Sequence, residues 1–288
     1  FAVRGSWSTG FRAPTPGQSN ASNVTTQFDP DLNELVNQGT IPPTNPVAEL
    51  RGGEALDPEE SDSFSVGAIV ELGSFSLTAD YYSIEVDDRL AVSQDFELTP
   101  EEVEALVASG VTSAANLQSF RFFTNDFDTE TTGVDVVATY EADLLGGESS
   151  LSLAFNNTKT EVTRFNPDTL NASRIRQLEE GLPETRWGLT GTQTWGPLRL
   201  LGRVSYYDGW YDNEDGQEYD GGNYIFDAEV AYTFRDSLSV IVGAQNLFDE
   251  YPDENPNAAA GVGNKYSQYT PFGFNGGFWY GRLTYSFE

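Results

Sequence analysis

Apolar and polar residues alternate along most of this chain with a period of two, the spacing that puts one set of side chains on each face of an extended strand. From Asp62, residues Phe64, Val66, Ala68, Val70 and Leu72 share one face, and Ser63, Ser65, Gly67 and Glu71 share the other. After the two-residue turn Gly73-Ser74, Phe75, Leu77, Ala79 and Tyr81 alternate with Ser76, Thr78, Asp80 and Tyr82. The pattern returns at 134–140, 151–156, 186–195, 198–206, 224–234, 238–245 and 279–287. With the opening run Phe1 to Trp7, it predicts ten strands.

The connections alternate in length. Short turns fall at Gly73-Ser74, around Asp143 to Gly147, at Gly196-Pro197 and at Arg235-Asp236. Long loops run over about 12–60, 87–118, 164–183, 212–223 and 249–274. Such alternation sends every long loop to the same end of an antiparallel sheet, the plan of an outer-membrane barrel. One loop contains a helix. Thr99 is placed to cap it, Pro100 occupies its first position, Glu101 and Glu102 lie in its first turn, and Gly110 stops it.

A soluble antiparallel sandwich would show the same alternation. Two features favour the membrane. Aromatic residues recur at strand ends (Trp7, Phe11, Tyr81, Tyr82, Trp187, Trp195, Tyr206, Tyr207, Trp210, Tyr211, Tyr224, Tyr232, Phe234, Tyr285 and Phe287), as in the girdles at two interfaces. Charges also avoid the apolar face. No apolar run reaches the 18 residues of a transmembrane helix.

Composition removes several chemistries. The 288 residues include no Cys and no His, so the chain itself supplies no Ser-His-Asp triad, thiolate nucleophile or zinc site of the usual ligands. With 45 acidic and 15 basic residues the net charge is −30, which argues against nucleic acid. The 13% aromatic content argues against disorder.

Four segments resemble a known family. Gly10-Phe11-Arg12-Ala13-Pro14 and Leu56-Asp57-Pro58-Glu59-Glu60-Ser61 are similar to motifs in the C-terminal half of TonB-dependent outer-membrane receptors. Asn246-Leu247-Phe248-Asp249-Glu250-Tyr251 looks like their Asn-Leu-Phe-Asp-x-x-Tyr box, and Pro271 through Phe287 resembles their closing strand. The four occur in family order.

The resemblance implies an all-β, antiparallel transmembrane barrel of roughly 22 strands filled by an N-terminal plug. Residues 1–288 would be its C-terminal portion, with the plug, the TonB box and the earlier strands lying elsewhere. It implies a receptor and not an enzyme, without a cofactor. The function implied is active uptake of a ferric siderophore or other scarce nutrient, energised through the TonB complex. Partners would be that complex, outer-membrane lipid and lipopolysaccharide, and the nutrient ligand. The alternative is a passive, porin-like channel complete in ten strands.

If the apolar face meets lipid, the lumen or plug is faced by Arg4, Glu71, Asp80, Asp135, Arg186, Arg199, Arg203, Asp227, Glu229 and Arg282. Both signs on adjacent strands predict ion pairs across the wall or contacts with a charged plug. Trp210, Tyr211, Asp212, Glu214, Asp215 and Tyr219 are the extracellular-loop candidates for ligand contact. The bland reading of the same segment is a solvated, self-repelling loop with packing aromatics, and its acids do not match an EF-hand. Arg12 and Glu59 read as structural.

Overall fold

A computed structural model describes residues 1–29, 34–117, 119–213, 216–235, 237–256, 263, 265–267 and 269–287. Its centre is one ten-stranded antiparallel sheet in which every strand pairs with the next along the chain. The strands are β1 (Ala2–Arg12), β2 (Glu59–Leu72), β3 (Phe75–Asp87), β4 (Phe127–Leu144), β5 (Gly147–Phe165), β6 (Thr185–Trp195), β7 (Leu198–Tyr207), β8 (Asn223–Phe234), β9 (Leu238–Gln245) and β10 (Phe278–Tyr285). Among the described residues β1 and β10 do not pair with each other, so these ten strands leave two open edges.

The main sheet has the ten expected strands, and the turns at Gly73-Ser74, Asp143 to Gly147 and Gly196-Pro197 hold; Asp236 of the turn expected at Arg235-Asp236 lies outside the described residues. Gly73 and Gly196 take positive φ in their turns, and at the β4–β5 turn Leu145 (φ 54°) precedes Gly146 (φ 78°). Leucine is unfavourable in that region, and hydrogen bonds hold the turn in place: the Trp195 indole donates to the Leu145 carbonyl at 3.0 Å, and Gln193 donates to that of Leu144 at 3.2 Å.

Register places Val3, Ala68, Ala79, Val136, Phe155, Trp187, Tyr206 and Tyr224 in one lateral row on the apolar face. The rings of Trp187, Tyr206 and Tyr224 lie 5.2–6.1 Å apart at the long-loop end of that row. This face is bare: Trp7 is 70% exposed and Leu283 71%. Tyr82 and Tyr207, grouped with the girdle on sequence, belong to the opposite face, in register with Gly133 and Arg186.

Two expectations are corrected. Strands β4 and β5 span 18 and 19 residues, well beyond the roughly 9–11 that a bilayer requires. Their upper parts are Thr-, Glu- and Asn-rich on both faces and offer no apolar alternation to read. Among the described residues there are also four α-helices where sequence predicted one: α1 (Pro16–Asn20), α2 (Pro46–Glu49), α3 (Pro100–Ala108) and α4 (Ala172–Glu180). The predicted helix is α3, with Thr99 and Glu102 forming its capping box. The unpredicted ones carry start signals too: Thr15-Pro16 with Gln18, Asn45-Pro46, and Asn171. α1 and α2, of five and four residues, are too short to show an apolar period, and α4, as long as α3, lacks the Pro and the first-turn acids that mark α3.

The long loops fold into a cap with its own core, because a sheet with one bare face and one charged face buries little. Ile41, Val47 and Ala48 of the first loop (13–58) pack with Phe96, Leu106, Ala114, Leu117, Phe120 and Phe122 of the second (88–126). The segment Glu34–Thr40 pairs with Asn23–Asp29 and with Ser119–Arg121 in a small mixed sheet. Neighbouring loops are latched in sequence. Arg51 donates to both carboxylate oxygens of Glu102 at 2.8 Å, and Arg174 donates to the Val92 carbonyl at 3.1 Å. Arg176 of the third loop (166–184) donates to Glu218 at 2.7 Å and lies 4.4 Å over the Tyr211 ring in the fourth (208–222). Ser267 of the fifth (246–277) donates to Asp212 at 2.5 Å.

Glu102 carries a testable pH dependence. The hydrogen bonds from Arg51, then that from the Thr99 N–H, hold its carboxyl down to about 2, against an ordinary value of 4.5. The Arg51–Glu102 latch therefore stabilises the cap fully above about pH 4.5 and is lost as the pH falls toward 2. Hydrogen exchange of α3 in wild type and Glu102→Gln is expected to diverge above pH 4.5 and converge below about 2.

Candidate functional site: the charged wall

All ten charged positions assigned to the lumen side fall on one face of the sheet by register. Arg4, Gly67, Asp80, Asp135, Asn156 and Arg186 form a lateral row across β1 to β6. The Arg4 guanidinium donates at 2.7 Å to Asp80, whose carboxylate lies over Gly67. Asn156 donates to Asp135 at 2.7 Å and accepts from Arg186 at 3.2 Å. Nearer the short turns, Arg199 donates to Glu229 at 2.5 Å, and Glu229 accepts the Tyr280 hydroxyl at 2.8 Å. Arg203 donates to Asp227 at 2.7 Å, and the other oxygen of Asp227 accepts the Asn246 N–H at 2.8 Å. Glu71 and Arg282 are exposed on the same face, opposite Ser76 and Ile241.

A glycine makes room for the reach in three places. Asp80 lies over Gly67 to meet Arg4, Tyr82 crosses Gly133 to Thr158 at 2.5 Å, and Tyr280 crosses Gly243 to Glu229. A Cβ on any of these glycines would overlap the side chain lying over it. Long side chains are thereby laid flat along the wall, which keeps its inner surface low and ties each strand to the next but one. Gly133→Ala is expected to cost about 1–3 kcal/mol by overpacking. The part due to the Tyr82 ring should disappear in a Tyr82→Ala background, as measured by a double-mutant cycle in denaturant unfolding, and the part due to the Asn157 carbonyl 2.8 Å from the added methyl should remain.

Between β7, β8, β9, β10 and the base of the fifth loop the same face opens into a cavity of about 560 Å³. Its walls include Tyr207, Phe272 and Phe278, and the Arg203–Asp227 pair and Gln245 supply polar groups. The Asn246 box shapes its rim. The Asn246 side chain donates to the Glu250 carbonyl at 2.7 Å and accepts the Glu250 N–H at 2.9 Å. Asp249, at positive φ, accepts the Gly277 N–H at 2.7 Å, which fixes the start of β10.

The loop candidates lie inside the cap. Trp210, Tyr211, Asp212 and Tyr219 are buried in the hairpin Trp210–Asp212/Gln217–Tyr219, with Trp210 stacked on Tyr219 at 5.0 Å and edge-on to Phe272. For Asp212 the solvated-loop reading is corrected, because its carboxylate is enclosed and bonded to Ser267. Glu214 and Asp215 lie outside the described residues. Among the described residues no three acidic side chains converge on a metal position.

Sequence reasoning missed the junction of its own first two motifs. Arg12 and Glu59 are register partners joined by an ion pair, and the buried Glu59 also accepts the Leu90 N–H at 2.7 Å. The signal was the adjacency that antiparallel pairing of the two motifs would create.

The comparisons agree with this architecture. The sequence matches the family described as "TonB dependent receptor-like, beta-barrel" over residues 1–247. No curated protein sequence matches the chain. Among solved structures it is similar to the copper transporter OprC (15% identity, TM-score 0.62, covering 98% of this chain and 37% of that one). It is also similar to Pseudomonas aeruginosa FpvA bound to heterologous pyoverdines (13%, 0.56, 98% and 30%). A third similar fold is the ferric yersiniabactin uptake receptor FyuA from Yersinia pestis (13%, 0.51, 97% and 33%). The chain spans about a third of the length of each. Ten meandering strands with one apolar and one charged face, together with the family match, establish that the chain belongs to the β-barrel family of TonB-dependent receptors of the bacterial outer membrane.

Proposed function

We propose that the protein takes up a scarce nutrient across the outer membrane with energy delivered through TonB, and that residues 1–288 form the C-terminal part of a barrel of roughly 22 strands around a plug. The observation that carries the reading is the inner face. Six of its ten charges form ion pairs along the wall, Asp135 and Arg186 are bridged by Asn156, and three side chains lie over glycines, a surface suited to hold a folded polar plug with most of its own charge compensated. Similar folds named for pyoverdine, copper and yersiniabactin support transport of a small ligand or metal. The two open edges weigh against ten strands working alone as a passive channel.

The test is growth of a strain that depends on the full-length receptor for a limiting nutrient. Removing TonB, or collapsing the inner-membrane proton gradient during a short uptake assay, is expected to abolish accumulation. Accumulation unchanged by either treatment would favour the porin-like channel.

A further inference from the structure

The five loops of the cap hold 27 acidic and six basic residues, a net charge of −21 out of the chain's −30. All six bases are already engaged by the protein. Arg51, Arg176 and Lys265 pair with Glu102, Glu218 and Glu254. Arg89 donates to Thr129, Arg121 to Thr40 and Arg174 to the Val92 carbonyl. Below the cap, the cavity's one base, Arg203, directs its donors at Asp227, and its apolar walls are the rings of Tyr207, Phe272 and Phe278.

We propose that the receptor takes a ligand bearing positive charge and a planar group, seated against the rings of this cavity, and turns away polyanionic metal chelates. The inference rests on the uptake reading above and adds the ligand's charge class. Two independent features point the same way. The field of the cap concentrates cations at the mouth and repels anions within about a Debye length, ~8 Å at physiological salt. The cavity has the size of a small-molecule site and presents aromatic faces, which attract a cation through their quadrupoles. A polyanion would meet there an arginine already paired with Asp227, under a cap whose six bases are outnumbered by 27 acids.

The test uses the full-length receptor in detergent with two probes sharing one ring system, the cation proflavine and the anion acridine-9-carboxylate, read by fluorescence anisotropy. In 300 mM NaCl, where long-range attraction is screened, proflavine is expected to bind saturably and at least about tenfold more tightly than the carboxylate. Phe278→Ala and, separately, Tyr207→Leu should each weaken proflavine by about fivefold or more while gel migration shows a folded barrel. The pair Glu101→Lys and Glu104→Lys, on α3 and outside the cavity, should slow proflavine association about twofold or more at low salt and leave dissociation unchanged. Carboxylate binding as tight as proflavine, or proflavine binding indifferent to both cavity variants, overturns the inference. Loss of TonB dependence with cation binding intact overturns the uptake reading alone.

Discussion

Phe120→Ala is expected to cost the cap about 3–5 kcal/mol, the largest single effect in the molecule. Phe120 is fully buried, with the rings of Phe96 and Phe122 at 5.7 and 6.5 Å, and the first and second loops meet around it. Truncation removes the ring and leaves a cavity that the small sheet beside it, pinned by hydrogen bonds, closes only in part. The loss is local, because the register of β1 to β10 does not pass through this core. Limited proteolysis of the receptor in detergent should therefore cut within 13–58 and 88–126 at concentrations that leave wild type intact, while the barrel keeps its heat-modifiable migration. Val107→Ala, at an exposed position of α3, should change neither.

Glu59→Ala is the second. The carboxylate lies at the start of β2, buried, where it holds Arg12 from β1 and the Leu90 N–H at the head of the second loop. Removing it leaves that N–H without its acceptor and strands Arg12 near the half-buried Arg89. Leaving partners unpaired costs more than the contact itself is worth, and about 2–3 kcal/mol is expected. Arg12→Ala should cost less, since Arg12 is 59% exposed and water can replace it. Urea unfolding in lipid vesicles would rank the two, and Glu59→Gln, which keeps an acceptor, should fall between them.

The ten strands, their faces and their turns were legible because the bilayer imposes the simplest pattern in protein sequence, a period of two with lipid on one side. The α3 helix was legible because Thr99, Pro100 and Glu102 mark its start. What escaped was most of the structure above the membrane. In Phe127–Gly133 and Asn157–Phe165 one face lies under the loops, but it is filled by Phe127, Thr129 and Gly133 rather than by a run of apolar residues, so no alternation announces them. The cap core draws Ile41, Phe96 and Phe120 from segments up to about 80 residues apart, and no local period links them. Trp210 and Tyr219 read as ligand contacts or as packing aromatics, and only the fold shows the packing: the hairpin stacks them and Phe272 of the fifth loop lies edge-on to Trp210. The charged wall was legible as a set of positions. Its pairings required the register, and the three crossed glycines required the third dimension.

The central claim is that the apolar face meets lipid and the charged face lines the interior. This chain has no cysteine, so single cysteines can be introduced along β7 and β8 of the full-length receptor in bilayers, spin-labelled and probed by collision with oxygen and with a water-soluble nickel complex. Labels at 200, 204, 226 and 230 should be reached by oxygen and shielded from nickel, and labels at 201, 205, 225 and 231 should show the reverse or be shielded from both. Leu201 is the sharpest position, an apolar residue assigned to the inside by register alone. Oxygen access without a period of two, or an inverted pattern, would contradict the account.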